Sequence, residues 1–169
     1  EASVQHKPAA RLAALREILS RYPDEKDASY LVGEQYWLMM ELDSAIVYFR
    51  KAAAIDPMYR MAWNSLAYAY AEQEDLDRAI EAMDKYIAIA PDDANPYDSR
   101  GDLYAFNGKP EEAVESYRRA LAVKPDYYAS AINIAAMRVF QGRYREADSV
   151  FDYLESVDRI GTRVTARLY

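Results

Sequence analysis

The residues able to do chemistry are few and poorly grouped for it. His6 is the single histidine of the 169-residue chain, and cysteine is absent. A zinc site therefore lacks its usual ligands, and thiolate chemistry is excluded. A solvated side chain near the chain start is the expected role of His6. Acids cluster at Glu74, Asp75 and Asp77, and again at Asp92 and Asp93. A calcium loop needs more oxygen ligands and a glycine at its sharp turn. Helix N-capping and complementation of the helix dipole account for these acids better. Glu34 with Asp98 or Asp102 would be a carboxylate pair of the kind used for proton transfer. No nucleophile, phosphate loop or cofactor motif accompanies it. The expectation is no catalytic residue, no cofactor and no metal.

Aromatic residues are the other chemistry in hand, with 16 tyrosines, 4 phenylalanines and 2 tryptophans. What positions them is a spacing of 34 residues. Ala45, Ala79, Ala113 and Ala147 share one slot. Gly33, Ala67, Gly101 and Ala135 share a second, and Tyr36, Tyr70 and Tyr104 a third. Phe49, Met83, Tyr117 and Phe151 form a fourth, and Pro23, Pro57, Pro91 and Pro125 a fifth. Five columns in one register indicate a repeat array. Within the best-kept unit, Trp63, Leu66, Ala67 and Tyr70 stand at i, i+3, i+4 and i+7, one stripe of a helix. Ala79, Met83 and Tyr86 form the facing stripe of a second helix, with a break near 73–75.

These residues resemble the tetratricopeptide repeat, with Trp63, Leu66, Ala67, Tyr70, Ala79 and Pro91 in its pattern and Met83 standing for its second aromatic. The resemblance implies an all-α fold, a right-handed α-solenoid of antiparallel helix pairs in one continuous stack. The expected units are 26–59, 60–93, 94–127 and 128–161. Residues 1–25 are read as a polar tail and a capping half-repeat helix opened by Pro8. Residues 162–169 are read as the start of a further helix, with Leu168 in its leucine slot and the chain stopping mid-helix.

Individual slots depart from the pattern. The turn near Met40 lacks the family's frequent glycine, and Asp43 is the expected N-cap after it. Asn107-Gly108-Lys109-Pro110 is a clear turn. Tyr86 puts a ring where repeats one and three have alanine, so it must lie in the seam or push outward. Arg100 replaces a leucine, predicting a wetter helix. The fourth unit has Arg138 for the tyrosine and Arg159 for the proline. Trp63→Ala is expected to cost about 3–5 kcal/mol if Trp63 is core.

Charge bounds the partners. The net charge is -7 with no lysine or arginine run. A nucleic-acid footprint is missing, an anionic membrane surface is disfavoured, and cationic partners are favoured through faster encounter. No apolar run reaches the roughly 18 residues of a membrane span, so direct membrane insertion is not expected. The chain begins at Glu1 and reads as a processed chain or a piece of a larger one.

In the resembled family, the first-helix face left over after the core lines a concave partner groove. Its slots here are Asp27, Tyr30, Glu34, Leu38 with Trp37, then Met61, Asn64, Tyr68 and Glu72. The third repeat gives Asn95, Asp98, Asp102 and Phe106, and the fourth Ile132, Ala136 and Phe140 beside Val139. Some members clamp acidic chaperone tails with lysine, arginine and asparagine. The matching slots hold Tyr30, Glu34, Ser65, Asn95 and Ser99, which offer no cation. The expected function is a non-catalytic interaction scaffold binding a basic or amphipathic peptide or helix. The alternatives are a homo-oligomer formed through the C-terminal edge, and the repeat segment of a larger enzyme or signalling protein.

Overall fold

The computed structural model describes the backbone over residues 2–165 and side chains over 10–156. Among these residues the fold is all-α, with nine helices. They are α1 (Ala2–Arg21), α2 (Lys26–Leu38), α3 (Leu42–Ile55), α4 (Arg60–Glu72), α5 (Leu76–Ile89), α6 (Asn95–Phe106), α7 (Pro110–Val123), α8 (Tyr128–Phe140) and α9 (Tyr144–Thr165). Helices pair as α2 on α3, α4 on α5, α6 on α7 and α8 on α9. The chain divides into two compact units, Glu1–Ile89 and Ala90–Tyr169. In unit one α3 also packs on α4 and α1 on α2; in unit two α7 packs on α8.

Each first helix ends the same way. Met40, Glu74, Gly108 and Gly142 all take positive φ, between 60° and 72°. In the first repeat the Met40 amide bonds the Trp37 carbonyl (2.9 Å) and the Glu41 amide reaches back to Tyr36 (2.9 Å). The other three turns repeat this pair of bonds. This is the Schellman ending, which satisfies carbonyls the helix leaves open and requires one left-handed residue. Two repeats supply glycine there; the first two force a methionine and a glutamate into the same conformation.

The repeat columns pack as a lock. Phe49 is fully buried and lies over Gly33. Tyr117 lies over Gly101 in the same way, while Met83 fills the second repeat, where the small slot is Ala67. The inter-repeat prolines cap differently. Trp63 Nε1 donates to the Pro57 carbonyl at 2.9 Å, and Tyr97 donates to Pro91 at 3.1 Å. Tyr86 is buried, so its ring lies in the seam. Arg100 is half-buried with its guanidinium 5.8 Å from the Tyr97 ring.

Several expectations change. Trp63 is half-buried, because its indole is drawn to the Pro57 carbonyl at the surface, so it is not a deep core residue. The N-cap of α3 is Glu41; Asp43 sits inside the first turn and accepts from Gln73 at 2.7 Å. Asp75 does cap α5, accepting from the Arg78 amide at 3.1 Å. Helix α1 begins at Ala2, so Pro8 lies within it and not at its start. A proline inside a helix costs about 3 kcal/mol, and the burial of Leu12 and Leu15 further along α1 is what offsets it. Helix α9 runs unbroken through Arg159 and Gly161 to Thr165. With arginine in the proline slot, nothing removes the next amide, and one glycine costs only about 1 kcal/mol. Leu168 falls outside the described residues.

Candidate interaction face

The first helices of unit one, α2 and α4, carry a polar ladder that ties one repeat to the next. Tyr30 is buried between Phe49 and Tyr59, with ring centroids at 5.6 and 5.5 Å. Its hydroxyl donates to Glu34 Oε1 at 3.1 Å and lies 3.2 Å from Ser65 Oγ. Burial is the main cause that pushes this hydroxyl's pKa up. Trp37 stands nearly perpendicular to the Phe49 ring and donates from Nε1 to Glu72 Oε2 at 2.7 Å. The Tyr59 hydroxyl, also pushed up chiefly by burial, hydrogen-bonds Asp27. Asn64 and Tyr68 are half-buried, and Leu38 and Met61 are exposed.

Unit two repeats the ladder on α6 and α8 with different residues. Tyr127 donates to Asn95 Oδ1 at 3.3 Å. Ser130 donates to Asp98 Oδ1 at 2.6 Å. Asp102 accepts from Tyr117 at 2.8 Å and from Asn133 at 3.4 Å. Asp98 is 9% exposed, and loss of hydration raises its pKa against the opposing Ser130 bond. Phe106 and Phe140 occupy the same slot on consecutive first helices and are 79% and 81% exposed. Ile132 and Val139 are exposed beside Phe140.

The expected face residues therefore sort into two kinds. Tyr30, Asp98 and, in part, Trp37 and Asp102 are held in the seam between repeats. Leu38, Met61, Glu72, Phe106, Ile132 and Phe140 stand in solvent. The ladder partners Tyr59, Tyr127, Ser130 and Asn133 are additional to those expected. Their signal is a hydrogen-bonding residue 31 to 35 positions after Tyr30, Trp37, Asn95, Asp98 and Asp102, one repeat on.

The electrostatics follow from who donates. Asp27, Glu34, Glu72 and Asp98 take neutral donors: tyrosine and serine hydroxyls and an indole. Among the described residues none of these four is ion-paired. A neutral donor orients a carboxylate without cancelling its charge. The acid character of the unit-one face is thus kept by Asp27, Glu34 and Glu72, whereas burial works against the charged form of Asp98. Also among the described residues, no cluster of histidine, cysteine or acids is placed to hold a metal ion, and no helix is long and apolar enough to cross a membrane.

Elsewhere in unit two, Arg138 fills the tyrosine slot by a different route. It is 3% exposed and donates to Glu111 (2.9 Å) and to Gln141 (2.6 Å), with Glu146 at 3.4 Å. Arg143 closes the cluster on Glu111 and Glu146 at 2.9 and 2.6 Å. The Arg138 bond is the main cause holding the Glu111 carboxyl below its ordinary pKa.

Comparison with known proteins gives a consistent result. Two models described as tetratricopeptide repeat match residues 58–126 and 99–155. No curated protein matches the chain. A crystal structure of MamA is similar in fold, with a TM-score of 0.74 and 21% identity over 90% of this chain and 89% of that one. MamA from Desulfovibrio magneticus RS-1 superposes at TM-score 0.74 and 20% identity, covering 90% of this chain and 86% of that one. The Cut9–Hcn1 structure of the APC/C matches at TM-score 0.71 and 18% identity, over 90% of this chain but 29% of that one.

Proposed function

The chain belongs to the tetratricopeptide-repeat family, and we propose that it is a non-catalytic scaffold whose first-helix faces bind a basic or amphipathic protein segment. The observation that carries the reading is the neutral-donor pattern. Glu34 and Glu72 are oriented by Tyr30 and Trp37 and keep their charge. A lysine or arginine from a partner would supply the missing counter-charge. Within unit one, Leu38 and Met61, both exposed, would take the apolar side of an amphipathic segment. The acidic balance of the whole chain supports fast encounter with a cationic partner.

The test uses a fluorescent amphipathic peptide of lysines and leucines and its glutamate counterpart. The basic peptide should bind, and the acidic one should bind this face far more weakly. Glu34→Gln with Glu72→Gln should weaken the basic peptide about three- to tenfold. Leu38→Ala should weaken it separately. Unchanged affinity in both variants, with helicity intact, would overturn the reading.

A second reading is supported by the exposed Ile132, Val139 and Phe140. Exposed apolar side chains grouped on one helix are a common feature of self-association surfaces. Solution mass over a concentration series tests it. A strict monomer removes the reading; a dimer lost in Phe140→Glu supports it.

A further inference from the structure

Unit one also carries a cleft of about 470 Å³ framed by α3, α4 and α5. Its apolar wall is the half-buried Trp63 with Leu66, and the alanines Ala53 and Ala82 leave the depth. Arg50 and Lys85 stand exposed on the rim. Among the described residues neither has an ion-pair partner. Arg78 is already engaged: it holds Asp75 at 2.7 Å and lies 5.3 Å over the Tyr70 ring. Glu81 contributes one acid to the lining.

The same cleft recurs in unit two, framed by α7, α8 and α9, at about 450 Å³. Its lining residues sit two repeats further along the sequence. Arg118 replaces Arg50, Glu146 replaces Arg78, Ser149 replaces Glu81 and Tyr153 replaces Lys85. The cavity is therefore a consequence of stacked helix pairs, and only its chemistry is chosen. In unit two the choice is nearly neutral: Glu146 is held by Arg138 and Arg143, and Tyr153 donates to the Pro125 carbonyl at 2.8 Å. In unit one two uncommitted cations face a tryptophan wall.

We propose that the unit-one cleft binds a short peptide segment pairing acidic side chains with a bulky apolar one. The apolar side chain would lie against Trp63 and Leu66 over the alanine floor. The carboxylates would meet Arg50 and Lys85. In a chain of net charge -7 an acidic segment is repelled by most of the surface. Retention requires a place where unpaired cations and an apolar wall coincide, which this cleft supplies. The site is independent of the first-helix faces and selects the opposite charge.

The experiment follows the two tryptophan indole N–H signals of the isotope-labelled chain by NMR, assigned with Trp63→Phe. The probe is a six-residue peptide with two aspartates, phenylalanine, leucine and two glutamates, capped at both ends. The Trp63 signal should shift saturably, and the Trp37 signal should stay. Arg50→Glu with Lys85→Glu should weaken binding at least about fivefold. Both side chains are exposed and unpaired, so the fold should survive, as circular dichroism would check. Arg118→Glu, in the matching slot of unit two, and Glu34→Gln should leave the affinity unchanged. Added salt should weaken binding. The proposal is overturned if the Trp63 signal does not move. It also fails if a lysine-for-acid version of the peptide, or inorganic phosphate alone, moves it equally. Unchanged affinity in the folded double variant would refute it too.

Discussion

Gly33→Ala should destabilise the protein even though alanine favours helix. A β-carbon built on Gly33 meets Phe49 Cδ1 at 2.6 Å and Cε1 at 2.7 Å, and the Ala45 carbonyl oxygen at 3.3 Å. Ordinary carbon contacts lie at roughly 3.5–4.0 Å. The ring would have to retreat by about 1 Å to restore that spacing. It has nowhere to go: Phe49 is fully buried and is braced by Tyr30 at 5.6 Å and Trp37 at 6.0 Å. Overpacking of this kind costs about 1–3 kcal/mol. The intrinsic helix gain of alanine over glycine offsets about 0.8–1.0 kcal/mol. A net loss of about 0–2 kcal/mol is expected from these opposing terms. The chain contains its own rescue, since the second repeat pairs Ala67 with Met83 and buries both completely. Phe49→Met alone should cost about 1 kcal/mol. Gly33→Ala with Phe49→Met should then lose less than the two singles combined, by about 1 kcal/mol of coupling. Denaturant unfolding of the four proteins by circular dichroism measures this cycle. A stabilised Gly33→Ala, or strictly additive singles, would refute the steric coupling between these columns.

Further predictions follow from the same geometry. Met40→Gly and Glu74→Gly should each stabilise by about 0.5–1 kcal/mol, because both residues sit at positive φ, while Gly142→Ala should cost about 1–2 kcal/mol; thermal unfolding tests the opposite signs. Trp63→Ala should cost about 1–2 kcal/mol, below the core value, because the indole is half-buried and bonded at the surface. For pH, burial raises the folded pKa of Asp98 above its unfolded value. Its contribution to stability is therefore fully present below the unfolded carboxyl pKa and lost as pH rises through the folded one, so Asp98→Asn should stabilise at neutral pH. Glu111 has the opposite sign: its folded pKa is depressed, mainly by Arg138, so its contribution is present above the unfolded pKa and lost as pH falls through the folded one. Carboxyl titration by NMR should show the Glu111 midpoint rising toward its ordinary value in Arg138→Gln.

The fold was legible because each repeat column answers a local steric demand. Gly33 is small where Phe49 needs room, and Gly108 supplies the left-handed residue its turn requires. Such demands stay inside one helix pair, so period and residue size reveal them. The candidate interaction face was legible only as a set of slots. Whether a slot opens to solvent or closes into the seam depends on the offset between consecutive first helices, and the period does not contain that offset. Tyr30 and Asp98 close because Ser65 and Ser130 arrive beside them from the next repeat; Leu38 and Phe106 stay open because nothing does. Arg138 shows the same limit at its sharpest. In its repeat column it is a lost tyrosine. In the structure it is a buried cation completed by Glu111 from the preceding repeat and by Gln141 and Glu146 from its own. The clefts on the second helices carry the point through to function. The repeat makes the same cavity twice, and the side chains then make one basic and the other nearly neutral. In this chain the period decides where surfaces form, and the departures from the period decide their charge and shape.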